Sequence, residues 1–262
     1  MNPFIDLLKE YAMAYSLSVL RLTVAFSVLP LMSQAVIPGM SRTIGFASMS
    51  LVLVPHIKET IPIPMPGAFT MAPIFLKEAF IGILIGYLVS FIFWMAEAVG
   101  FLIDNQRGSS MASASDPMLG GESSPLGILI GKAVITLFFI SGGFLSVLSI
   151  IYESYRLWPV FDFFPSLGAE FPVSILRLFD NWIKTAGLYA APIMLLLFFV
   201  EFGLGLMNRF AQQLNVFVLA MPVKSGLAMF LFVIYMSFLL NYFKVEFLKI
   251  PAILTHLELL FS

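Results

Sequence analysis

Asp104-Asn105-Gln106-Arg107-Gly108-Ser109-Ser110, continuing through Met111 to Asp116-Pro117 and on to Gly120-Gly121-Glu122-Ser123-Ser124, is a polar run enclosed by two apolar stretches, residues 79–96 and 133–152. The flanks read as membrane-type helices, so polar, irregular chain lies beside hydrocarbon. An unpaired backbone polar group there costs several kcal/mol, which confines such a segment to water, to a protein surface or to a cavity.

Composition supports the membrane reading. The chain has 262 residues, 60% of them hydrophobic and only 11% charged, with a mean hydropathy of +0.99; a soluble domain carries roughly 25% charged residues. At roughly 20 residues per crossing, the length accommodates about six spanning helices and little soluble domain besides. The formal net charge of −1 gives no electrostatic reason to expect nucleic acid. The absence of cysteine excludes disulfides, thiolate metal sites and thiol nucleophiles. Met1-Asn2-Pro3-Phe4-Ile5-Asp6 lacks the basic n-region of a signal peptide, so the first hydrophobic run is expected to be retained.

Six apolar segments follow one another. A first helix is expected over 11–37, interrupted by Arg21 and Pro30. A second run, 43–56, gives roughly 22 Å of helix against about 30 Å of hydrocarbon, too short to span alone. Pro62, Pro64 and Pro66 prescribe an extended connector. The third segment, 71–103, and the fourth, 125–155, carry Gly82-x-x-x-Gly86 and Gly127-x-x-x-Gly131, a spacing that lets backbones approach, and Gly142-Gly143 predicts a kink in the fourth. An aromatic, proline-rich connector at 156–173 suits a membrane–water boundary. The fifth segment (174–208) and sixth (216–243) precede a tail, 244–262, that reads as an amphipathic helix with Phe247, Ile250, Ile253, Leu254, Leu257 and Phe261 on one stripe.

Seven charges lie within or against the apolar runs: Arg21, Lys77, Glu78, Glu97, Lys132, Glu201 and Lys224. At roughly 2.5–3.5 kcal/mol each, leaving all of them in lipid would cost on the order of 20 kcal/mol. Pairing, partner subunits or water must shelter most of them; Lys77, Glu78 and Lys224 sit where snorkelling is an alternative. The lysines and arginines are spread too evenly to assign an orientation. A weak echo links Glu97…Asp104-Asn105…Arg107 to Glu201…Asn208-Arg209, as two hairpins of related design would.

The run Asp104-Asn105-Gln106-Arg107-Gly108 with Asp116-Pro117, and the later run Gly203-Leu204-Gly205-Leu206-Met207-Asn208-Arg209-Phe210-Ala211-Gln212-Gln213-Leu214-Asn215 with Pro222-Val223-Lys224-Ser225-Gly226, resemble the SctT/FliR family, export-gate proteins of bacterial type III secretion systems. The Asp-Asn-Gln-Arg-Gly form is closer to the virulence-injectisome branch, the YscT/SpaR type. The resemblance implies an all-α membrane protein of bent helical hairpins, a single export-gate domain over 1–262 that is similar to a fusion of SctR-type and SctS-type subunits. It implies assembly with those two subunits, with an SctU-type switch protein and an SctV-type export ring nearby. The setting implied is the bacterial inner membrane, displaced toward the periplasm, with unfolded polypeptide as cargo and energy from an ATPase and the proton gradient.

In that family the loop matching 106–122 plugs the closed channel, near a methionine constriction supplied by the SctR-type subunit. The plug residues implied here are Gln106, Arg107, Gly108, Ser109, Ser110, Met111, Ala112, Ser113, Ser115, Asp116 and Pro117. Small side chains with methionine as flexible filler suit a segment that packs a narrow pore and rearranges. Composition alone favours a plain solvated loop between two membrane helices; the resemblance is what favours the plug. Glu97, Asp104, Asn105, Glu201, Asn208, Arg209 and Lys224 are the candidate buried polar and assembly residues.

Two other functions compete with an export gate: a proton-coupled secondary transporter using Glu97, Glu201 and Lys224, and an inert scaffold for its partners. Catalysis is not expected, and neither cofactor nor metal is. His56 and His256, the only histidines, lie in no triad or metal-ligand arrangement, and none of the GxxxG glycines follows a strand to form a phosphate loop.

Overall fold

The computed structural model describes residues 3–32, 38–63, 67–108, 124–162, 171–210 and 216–252. Among the described residues every regular element is helical. The helices are α1 (Pro3–Val28), α2 (Gly39–Ser50), α3 (Val54–Glu59), α4 (Ala68–Arg107), α5 (Pro125–Ile140), α6 (Gly143–Leu157), α7 (Phe171–Phe210) and α8 (Val216–Leu248). Four are long and apolar enough to cross a membrane, or five if α5 and α6 count as one broken span. The chain is a multi-pass, all-α membrane protein.

The ends of the helices depart from the sequence expectation in ways with local causes. α1 begins at Pro3, is unbroken at Arg21, and stops before Pro30, which opens a single 3₁₀ turn, Pro30–Met32. The run expected at 43–56 is split into α2, a 3₁₀ turn over Leu51–Leu53, and α3, whose Pro55 is tolerated in the first turn. Gly142 adopts φ +77°, a left-handed conformation that only glycine takes at no cost, so the expected kink is a full break between α5 and α6. α4 and α7 are each 40 residues long and continue through an internal proline, Pro73 and Pro192. At 1.5 Å per residue each is about 60 Å long, twice the hydrocarbon thickness, so each must tilt steeply or protrude. The tail helix expected to start at 244 does not: residues 244–248 continue α8, a turn follows, and 253–262 lie outside the described residues.

The chain divides into two compact units, Met1–Phe91 with Gly142–Ser174 and Leu248–Ser262, and Ile92–Ser141 with Ile175–Phe247. In the first, α1 buries Ala14, Leu17, Ser18, Arg21, Leu22 and Ala25, the i, i+3, i+4 stripe of a packed helix. Phe26 stacks on Phe46 of α2 at 5.1 Å and meets Phe144 of α6 at 5.5 Å. Gly82 and Gly86 of α4 press on the α1 backbone: a Cβ at Gly82 would lie 2.7 Å from the Arg21 carbonyl oxygen, and one at Gly86 would overlap that of Ala25.

The charges of this unit are paired. Arg21, fully buried, donates from Nε and Nη2 to the two Glu78 carboxylate oxygens at 2.7 and 2.9 Å. It also donates to Ser154 Oγ and to the Trp158 carbonyl, each at 3.0 Å, and its guanidinium lies 3.8 Å from the Tyr155 ring centre. Lys77 Nζ lies 3.2 Å from Glu78 and donates to the carbonyls of Pro159, Val160 and Asp162. Lys77 and Glu78 therefore do not snorkel; they staple the chain after α6 onto α4.

In the second unit, α5 lies against the C-terminal third of α4, with Val99, Ile103, Leu126, Ile130, Val134 and Phe138 buried. Phe138 meets Phe93 at 5.2 Å and Phe247 at 5.3 Å. α7 and α8 share a stacked Tyr189–Tyr242 pair at 5.0 Å and a hydrogen bond from Tyr189 Oη to Glu246. Their spans are only 17% and 22% buried, against 61% for α4.

Candidate functional site

The residues on either side of the 109–123 segment form one polar cluster. Asp104, Asn105, Gln106 and Arg107 are not loop, as the sequence reading had them, but the last turn of α4. An i,i+3 ion pair, Arg107 Nε to Asp104 Oδ1 at 2.7 Å, holds that turn. Gly108 then takes φ +90°, and its N–H donates to the Asn105 carbonyl, ending the helix as a left-handed glycine does. On the far side Ser124 is the N-cap of α5: its Oγ accepts from Gly127 N at 2.9 Å, and Pro125 fills the first helical position, where no donor is needed.

One carboxylate joins the two ends. Asp104, 1% exposed, accepts at Oδ2 from Ser124 Oγ (2.6 Å) and from Leu126 N (3.0 Å) while Oδ1 holds Arg107. An acid against the first free N–H groups of a helix also meets the positive end of its dipole. Arg107 completes the cluster by donating from Nη1 to Ser225 Oγ of α8 at 3.1 Å. The chain neighbours of Arg107 and Ser225 meet on Glu201 of α7, which accepts from Lys224 Nζ at 3.3 Å and from Gln106 Nε2 at 3.5 Å, so Lys224 is paired rather than snorkelling. Asp104, Gln106, Arg107, Glu201 and Lys224 are thus in contact pairs within one unit.

The other sequence-selected residues are placed differently. Asn105 is exposed on the last turn of α4, and Asn208 and Arg209 are exposed at the end of α7. Arg209 forms no ion pair among the described residues, so the echo between the Glu97–Arg107 and Glu201–Arg209 stretches does not extend to equivalent contacts. Glu97 lies on an open groove between α4 and α5. Ser109, Ser110, Met111, Ala112, Ser113, Ser115, Asp116 and Pro117 lie outside the described residues. Two participants, Ser124 and Ser225, lie in the quoted runs but are not singled out there as site residues. Ser225 carries no local signal, but Ser124-Pro125 before an apolar run is a helix-start signature that marks the cap.

No three His, Cys, Asp or Glu side chains among the described residues cluster closely enough to hold a metal ion. The cluster instead joins the last turn of α4 to the first turn of α5 and to Ser225 of α8.

Comparison with known proteins gives consistent matches. The chain is 39% identical over 231 residues to Yop proteins translocation protein T of Yersinia pestis, covering 88% of each chain. It is 31% identical over 218 residues to the surface presentation of antigens protein SpaR of Salmonella typhimurium, covering 83% of this chain and 80% of the relative. With the flagellar biosynthetic protein FliR of Bacillus subtilis it shares 29% over 238 residues, 90% of each. Residues 12–250 match the family described as Bacterial export proteins, family 1, and the chain belongs to that family.

Proposed function

We propose that this chain is an export-apparatus subunit of a bacterial type III secretion system, helping to form and close the passage through which unfolded proteins leave the cytoplasm. The names of its relatives support the system: Yop proteins translocation protein T, the surface presentation of antigens protein SpaR and, at 34% identity over 173 residues, the secretion system apparatus protein SsaT of Salmonella typhimurium. The pathogens that carry those relatives favour a virulence-associated system. It works without catalysis, in the inner membrane and displaced toward the periplasm, beside SctR-type and SctS-type subunits, an SctU-type switch protein and an SctV-type ring. A proton-coupled transporter finds no support among the relatives.

The observation that carries the gating role is the Asp104 tether. A closing segment has to be anchored firmly at its base while its middle stays free to repack. Here Asp104, Arg107 and Ser124 anchor both ends, and the residues between are mostly small. Gln106 to Glu122 form the plug, with Gln106, Arg107 and Gly108 as its α4 root and Ser109, Ser110, Met111, Ala112, Ser113, Ser115, Asp116 and Pro117 as its body. Deleting Ser109 to Ser115 should leave the complex assembled but permeable to small ions. An unchanged seal in the assembled deletion complex refutes the plug. An inert scaffold is refuted if Arg107→Ala or Glu201→Ala abolishes secretion while assembly persists.

A further inference from the structure

Five of the charges that interrupt the apolar runs have partners within the chain: Arg21 and Lys77 with Glu78, and Glu201 with Lys224. Glu97 has none. Its carboxylate makes no hydrogen bond or ion pair among the described residues. It stands on α4, within the span Phe69–Arg107, in an open groove of about 520 Å³ lined by Trp94, Phe101, Gly127 and Ile128.

The groove is built by close backbone approach. Gly100 of α4 and Gly127 of α5 are in direct backbone contact, so that a Cβ on Gly100 would overlap Gly127. Gly131 leaves room for the Glu97 stem; a Cβ there would lie 3.0 Å from Glu97 Cγ. A shallow apolar seam between two helices has the shape that accepts the ridge of a third. A carboxylate set in that seam is strongly disfavoured against lipid and calls for a cation.

Among the described residues no lysine or arginine is set against Glu97. All 14 of its lysines and arginines lie among the described residues. The adjoining segment 109–123 contributes Asp116 and Glu122 and neither lysine nor arginine. Lys132, next to Gly131, is exposed and forms no ion pair with Glu97. We infer that the groove receives an apolar helix of a partner subunit, which sets a lysine or arginine against Glu97. This rests on the reading of the chain as a subunit of an export complex.

The test uses the full chain co-expressed with its SctR-type and SctS-type subunits, carrying a photo-crosslinking residue in place of Ile128, which is 51% exposed. The expected result is a crosslink to one partner subunit, reduced at least tenfold by Glu97→Lys and several-fold by the shape-preserving Glu97→Gln. An acidic replacement of the crosslinked partner's lysine or arginine should restore the Glu97→Lys complex. Crosslinking only to lipid or to exported polypeptide, or a yield unmoved by both Glu97 variants, overturns the inference. So does rescue of Glu97→Lys by Lys132→Glu, which would make the pair internal. An intact complex with no crosslink to a subunit removes this inference alone, whereas failure of the wild-type chain to associate with either subunit removes the export-complex reading as well.

Discussion

Replacing Asp104 by alanine removes three hydrogen bonds at once, those donated by Arg107 Nε, Ser124 Oγ and Leu126 N. It also leaves the Arg107 side chain, only 10% exposed, without its counter-ion. Charge-assisted hydrogen bonds contribute about 1.5–3 kcal/mol each, but they are not additive within one cluster. Removing one partner of a buried pair typically costs about 3–5 kcal/mol, and the lower end suits a site in the last turn of a helix. About 3 kcal/mol corresponds to local opening on the order of a hundredfold more frequent. The amides of Leu126 and Gly127 report it directly, because one donates to Asp104 and the other to the Ser124 cap. Hydrogen exchange followed by mass spectrometry in detergent should show the first turn of α5 exchanging on the order of a hundredfold faster in Asp104→Ala. The middle of α5, around Val134, should be unchanged. Asp104→Asn keeps the shape and an acceptor, so an effect roughly a tenth as large is expected. Exchange of the α5 first turn within threefold of wild type in Asp104→Ala would show that the carboxylate does not hold the segment's feet.

Arg21→Met or Glu78→Leu alone should destabilise the first unit by about 3–5 kcal/mol, whereas the double variant should cost much less than the sum; thermal aggregation in detergent measures both, and additivity refutes the pairing. Gly86→Val should separate α1 from α4 and lower stability by about 1–3 kcal/mol, while Gly203→Ala, which meets nothing within 4 Å, should leave the isolated chain intact or raise helix stability by up to about 1 kcal/mol. Glu201, 55% exposed in its pair with Lys224, should contribute less than about 1 kcal/mol to stability, so a secretion defect in Glu201→Gln at unchanged melting temperature separates function from folding.

Helix existence and order were legible because long apolar runs have few alternatives. The ends were less so, and Asp104 to Arg107 show why. Their polarity reads locally as loop, yet the turn is held by an i,i+3 pair and by donors from Ser124 and Leu126, 20 and 22 positions further on. That charges in the apolar runs need shelter was also legible. Which partners they choose was not, since Arg21 finds Glu78, Ser154 and Trp158 at separations of 57, 133 and 137 residues. Glycines posed the same difficulty: Gly82 and Gly86 are pressed on another backbone, Gly203 and Gly205 face open space, and spacing alone does not distinguish the two cases.

The buried guanidinium of Arg21 also sets a schedule for the protein's birth. Ribosomes add roughly 5–20 residues per second, so Glu78, 57 positions downstream, is polymerised roughly 3–11 s after Arg21. The Trp158 carbonyl, at 137 positions, follows roughly 7–27 s after it at the same rate. Through that interval the Arg21 guanidinium is without its counter-ion, at a cost of roughly 2.5–3.5 kcal/mol in lipid. That cost favours holding nascent α1 in a hydrated place, at the insertion machinery or the bilayer surface, until Glu78 has been made.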